Sequence, residues 1–110
     1  MNNDELFKQS GVEDLCKAFL SLRDEKECRA FLRDLMTPQE IETFGARMLA
    51  AQMLQEGASY REIAKRTKMS TTTVQRVALW LTRGMGGYKT VLKRIGSNLP
   101  HKSDNSVAGL

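Results

Sequence analysis

The sequence predicts an all-α fold, on three observations. Apolar residues recur at three- and four-residue spacing through most of the chain, the period of one helix face. No run alternates apolar and polar residues with β-branched enrichment, so no strand is expected. Helix-start signals and glycine stops punctuate the chain. Its 110 residues suit one domain, and a hydrophobic fraction of 41% supports a core. A core of this size is modest, and a dimer that shares it is a common remedy.

Each element has its own warrant. The first helix begins near Asn3 and is clearer from Val12 to Leu22, where Leu15, Phe19 and Leu22 fall on one face. Asp24 can cap a second helix, with Glu27 three residues on. Its apolar residues are Cys28, Phe31, Leu32 and Leu35. In "MTPQE", Thr37 is an N-cap, Pro38 takes the first helical position and Glu40 closes the capping box. The third helix runs through Ile41, Phe44, Met48, Ala51 and Met53 and stops at Gly57. Ser59 caps the fourth, again with an acid, Glu62, three residues later. "TKMS" breaks that helix, and Ser70 or Thr71 starts a fifth that reaches about Arg83. "GMGG" ends the fifth, and "YKTVLKRI" makes a last short helix to Ile95. The polar remainder, with Pro100 and no periodicity, reads as a flexible tail. The organisation expected is dimerisation helices over 1–56, a helix-turn-helix region with the last helix over 57–95, and the tail over 96–110.

Charge divides the chain unequally. Residues 1–56 hold 7 Lys/Arg against 11 Asp/Glu, whereas residues 57–95 hold 9 Lys/Arg against one acid, Glu62. A net charge of +8 on that second segment points to a polyanion-binding face. Other chemistry finds little support. Cys16 and Cys28 form no CxxC pair and, with the distant His101, make no zinc site, so no metal is expected. They read as buried thiols in a reducing compartment. "GMGGYKT" lacks the Gly-Lys-Ser/Thr step of a phosphate-binding loop. No nucleophile–base pair or acid/base pair stands out, so no catalysis is expected. No stretch of 18 apolar residues occurs, the N-terminus is polar and acidic, and a cytoplasmic location follows as the expectation.

The stretch "SYREIAKRTKMSTTTVQRV" carries the functional reading. Two helices joined by three or four residues form a helix-turn-helix layout. Ala64 is the small residue where the second helix crosses the first, and Ile63, Met69, Val74 and Val77 are placed to lock the pair. Thr71, Thr72, Thr73 and Gln75 then form the start and outer face of the second helix. Short hydroxyls and methyls there can approach base edges in a major groove, where long side chains would hold the helix off. Arg61, Lys65, Arg66, Lys68 and Arg76 surround it and can meet phosphates, which set affinity rather than sequence. Arg76 can also be an arginine in solvent beyond the bases.

At these residues the chain resembles the Trp repressor superfamily, and most closely its YerC/YecD branch. The resemblance rests on "LMTPQEIETFGARMLAAQMLQEG", on the hairpin, and on "RGMGGYKTVLKRI". It implies an all-α, six-helix subunit, an intertwined homodimer and sequence-specific operator binding. The dimer has separate support. The amphipathic helices within residues 12–56 would leave apolar surface bare in a lone chain, and a twofold pair would cover it. Such a pair sets two recognition helices one DNA turn apart, about 34 Å, and expects a palindromic or pseudo-palindromic site in double-stranded DNA.

The resemblance also implies a pocket for L-tryptophan beside the recognition helix, carried over onto Thr37, Arg47, Thr73 and Arg76. Two positions depart from the pattern. Val77 stands where the family has glycine, and Trp80 where it has serine. Both add bulk where an indole needs room, and interiors do not absorb such bulk freely. The expectation is that Trp80 partly fills the ligand space and that no cofactor is needed. Trp80 can instead be an apolar anchor elsewhere.

The function expected is a dimeric DNA-binding transcriptional regulator, a repressor. Two alternatives stand beside it. One is a regulator dependent on an amino-acid corepressor, and the other is a helical protein–protein adaptor with a basic face.

Overall fold

Seven helices succeed one another in the structure, a computed structural model that describes residues 1–96. They are α1 (Asn3–Lys8), α2 (Ser10–Ser21), α3 (Glu25–Leu35), α4 (Pro38–Gln55), α5 (Tyr60–Thr67), α6 (Thr71–Arg83) and α7 (Gly87–Ile95). No strand occurs among the described residues, as the period of the sequence requires. The count is seven rather than the six expected, because the first helix is interrupted. Gln9 takes an extended conformation, φ −64° and ψ 132°, and so ends α1 and begins α2. Its side chain supplies no cap to α2. The expected tail lies outside the described residues from position 97 onward.

The helix ends follow side-chain chemistry. The Thr37 backbone N–H donates to Glu40 Oε1 at 2.9 Å, and the Glu40 N–H donates to Thr37 Oγ1 at 3.1 Å. This reciprocal pair satisfies two donors that the first turn of α4 would otherwise leave bare. Asp24 accepts from the Glu27 N–H at 2.8 Å, but the Glu27 carboxylate reaches one residue further back, to the Arg23 N–H at 2.9 Å. At the other end of α4 the chain reverses through Gly57 at φ 89°. The Ala58 N–H returns to the Met53 carbonyl and the Gly57 N–H to the Leu54 carbonyl, both at 3.0 Å. That double bond pattern needs a left-handed residue, which glycine adopts without penalty.

The chain divides into two compact units, Met1–Ile41 and Glu42 onward, with the boundary inside α4. In the first unit, none of α1, α2 and α3 contains a buried residue. Phe19 and Phe31 meet edge to face, ring centroids 5.4 Å apart, yet Leu20 remains 86% exposed. Cys16 is exposed and Cys28 is half-buried, both free. They are therefore not the buried thiols expected, since the helices that carry them enclose no interior of their own.

The second unit holds the core. Ala50 and Ala51 of α4, Ile63 of α5, Val74, Val77 and Leu81 of α6, and Leu92 of α7 are buried together. Met48, Met53, Leu54, Ala58, Ala64, Met69 and Tyr88 pack against them. Small residues on α4 let the larger side chains of α5 and α6 close over it. Burying each branched aliphatic side chain contributes roughly 1.5–3 kcal/mol, so a few residues hold the hairpin to its support.

Candidate nucleic-acid interface

The interface is assembled by the way α5 ends and α6 begins. Ser59 starts α5 with a complete capping box. Its N–H donates to Glu62 Oε1 at 3.0 Å, and its hydroxyl accepts from the Glu62 N–H at 3.1 Å. The Ser59 N–H bonded to it, and next the Ser59 hydroxyl, hold the Glu62 carboxyl below its usual range. Glu62 is the one acid between residues 57 and 95, and it is committed to a helix start. The net charge of that segment is +8 with Glu62 counted.

The turn is three residues long, Lys68, Met69 and Ser70. Thr67 Oγ1 donates to the Ile63 carbonyl at 2.7 Å and accepts from the Met69 N–H at 3.3 Å, closing the end of α5. Lys68 then adopts a left-handed conformation, φ 63° and ψ 16°. Ser70 caps α6. Its oxygen accepts from the Thr73 N–H at 3.1 Å, and its hydroxyl donates to Thr73 Oγ1 at 3.0 Å.

Ile63, Val74 and Val77 are wholly buried, and Ala64 and Met69 pack beside them. This fixes which face of α6 looks outward. Thr71, Thr72, Gln75 and Arg76 are exposed there, while Thr73 is half-buried with its hydroxyl engaged by Ser70. Arg61, Lys65, Arg66 and Lys68 are exposed on α5 and the turn. The first turn of α6 contains no acid, so its free N–H groups and positive dipole end stand open to an anion. The arrangement offers short polar groups at a helix tip, with exposed cations on the preceding helix and the turn.

The residues named for a ligand pocket each have a local role. Thr37 caps α4 within the first unit. Thr73 serves the α6 cap, Arg76 is exposed, and Val77 is sealed in the core. Arg47 and Trp80 are brought together. The Arg47 guanidinium carbon lies 5.5 Å from the centre of the Trp80 ring and 5.1 Å from that of Phe44. Its Nε is buried and has no hydrogen-bond partner. Tyr88 of α7 is close enough to feel the Arg47 charge, but burial outweighs that attraction and pushes the phenol up, so it remains neutral. Sequence reasoning did not include Phe44 or Tyr88 in this cluster. Phe44 could have been found, lying one helical turn from Arg47, whereas nothing near Tyr88 signals the approach of α7.

Among the described residues no group of three or more His, Cys, Asp or Glu side chains could hold a metal ion, and no helix is long and apolar enough to cross a membrane.

Known proteins share this architecture. A family model described as Trp repressor protein matches residues 10–96. YerC of Bacillus subtilis (strain 168) is 38% identical over 84 residues, covering 76% of this chain and 81% of that protein. The crystal structure of a TrpR-like protein from Eubacterium eligens ATCC 27750 superposes with a TM-score of 0.78 at 40% identity, over 86% of this chain and 96% of that one. A second, from Staphylococcus aureus, gives 0.78 at 30% identity, over 87% and 96%. With an exposed polar helix tip, a cationic surround and these likenesses, the chain belongs to the Trp repressor family, whose members are DNA-binding transcription regulators and not enzymes.

Proposed function

We propose that the protein is a cytoplasmic repressor that binds a palindromic or pseudo-palindromic site in double-stranded DNA as a homodimer. The observation that carries the reading is the exposed first turn of α6, where Thr71 and Thr72 project beside exposed Lys65 and Lys68. Thr71, Thr72, Gln75 and the accessible part of Thr73 read base edges. Arg61, Lys65, Lys68 and Arg76 hold phosphates and so set the register of the helix in the groove. The repressor role follows the name of the matching family.

The dimer is supported by what the first unit leaves bare. Phe7, Phe19, Leu20 and Leu35 are all exposed, and no side chain of α1, α2 or α3 is buried. An apolar surface of this kind is unusual on a stable monomer and suits a self-complementary twofold interface.

Selection of duplexes from a random pool, followed by gel shift, tests the reading. The expected product is a sequence with twofold symmetry, bound at least about a thousandfold more tightly than random duplex at physiological salt. Binding without sequence preference, collapsing at modest salt, would instead describe an adaptor with a basic face.

A further inference from the structure

The orphaned Nε of Arg47 asks why a guanidinium is packed where nothing accepts its proton. The neighbours are aromatic faces, Phe44 one turn back on α4 and Trp80 on α6. Tyr88 stays a neutral phenol and supplies no counter-charge. The guanidinium therefore lies against the negative faces of two partly exposed rings, which attract it. This contact links α4, which supplies Ala50 and Ala51 to the core, with the helix that carries the base-reading residues.

Its position on α6 matters. Val74, Val77 and Leu81 fix one stripe of that helix, and Trp80 lies beside that stripe, 41% exposed. Thr71 is nine residues earlier on the same helix. At the rise of an α-helix that is about 13 Å, so a tilt of roughly 5° about Trp80 moves Thr71 by about 1 Å. Base-edge hydrogen bonds do not survive an error of that size.

We propose that Arg47 and Trp80 are positioning residues, a built-in clamp that sets the tilt of α6 for DNA without any small molecule. The proposal rests on the DNA-binding reading above. Its consequence is that L-tryptophan, the ligand implied by the family resemblance, is not needed. The chain's own indole occupies the arginine face, and buried Val77 closes the stripe beside it.

The test uses the full chain and the duplex selected above, with binding followed by anisotropy of labelled DNA. Wild-type affinity should stay within about twofold when millimolar L-tryptophan is added. Trp80→Ala and Arg47→Ala should each lose about tenfold, a usual size for coupling between sites, with helical content and sedimenting mass unchanged. Trp80→Phe, which keeps a ring face, should bind nearly as wild type, and free indole should restore part of the Trp80→Ala loss. A tenfold gain of wild-type affinity with L-tryptophan overturns the clamp, and so does wild-type binding by Trp80→Ala. A purely structural role for Trp80 would move the mass or the helical content and would spare neither the phenylalanine variant nor the indole response.

A reading that needs no DNA separates this proposal from its parent. Trp80 is the single tryptophan of the chain, so its fluorescence reports the contact alone. Arg47→Ala should make it more readily quenched by acrylamide. Unchanged quenching overturns the clamp even if the protein binds DNA. A wild type with no sequence preference sinks the parent reading, and the quenching result then decides the clamp by itself.

Discussion

Lys68 holds the only left-handed backbone outside glycine among the described residues. A side chain in that region costs about 1–2 kcal/mol, and glycine would relieve it. Lys68→Gly should therefore raise the urea midpoint by about 1 kcal/mol of stability while flattening the salt dependence of DNA binding by about one unit. Lys65→Ala should flatten the slope by a similar unit and leave stability within about 0.5 kcal/mol, because it sits on a regular exposed turn. Thr72→Asp should abolish specific binding in gel shift, since it sets a carboxylate against phosphates. At this scale the sequence was partly legible. Ala64, Ile63, Val74 and Val77 could be placed by helical spacing, and they pack as that spacing requires. The strain at Lys68 was not, because left-handed turns are announced by glycine or asparagine and a lysine announces nothing. The contact of Arg47 with Trp80 joins residues on separate helices, which spacing along one helix does not encode.

From α3 to α6 the helices are started by hydroxyls and carboxylates, and the consequences are measurable. Ser70→Ala removes the cap of α6 and should cost about 1 kcal/mol in denaturation, with a larger relative loss in DNA binding because the base-reading turn frays. Glu62 gives a pH signature. Its carboxyl is held below the usual range in the folded chain, chiefly by the Ser59 N–H and then by its hydroxyl. Its contribution is therefore present above the unfolded value and fades as pH falls through the folded one. Stability curves of wild type and Glu62→Gln should differ at neutral pH and converge in acid; parallel curves down to low pH would contradict the assignment. Gly84 is constrained in another way. A Cβ there would collide with the Trp80 carbonyl oxygen, so Gly84→Ala must distort the end of α6. Element boundaries from α3 onward were readable, since Asp24, Thr37, Gly57, Ser59 and Ser70 each carry local chemistry. The break at Gln9 was not, as glutamine has no capping preference and no glycine or proline marks the place.

At the largest scale, charge and buried core divide unequally along the described residues. The acidic residues 1–56 include helices with no buried side chain, and the basic residues 57–95 include most of the core. Sedimentation should give twice the mass of one chain. Leu20→Glu, placed on the most exposed aliphatic side chain among the described residues, should weaken self-association by at least about tenfold, as losses at the centre of an interface do. If that variant instead sediments as wild type, the apolar side of α2 serves some other end. The segregation of charge was legible from composition alone. The bareness of the first three helices was legible only as a surplus of apolar side chains, because which surface covers them is a property of an assembly and not of one chain.

The earliest residue sealed from water is Ala50, and the latest member of the core is Leu92. During translation the first helices therefore leave the ribosome with no interior to join. At about 5–20 residues per second, the remaining core partners follow only after roughly 2–8 s. Phe7, Phe19 and Leu20 stay exposed even once that core is complete, so a holdase can meet them throughout the interval and beyond it. The protein's yield in an expressing cell should accordingly respond to chaperone supply and growth temperature more than its small size suggests.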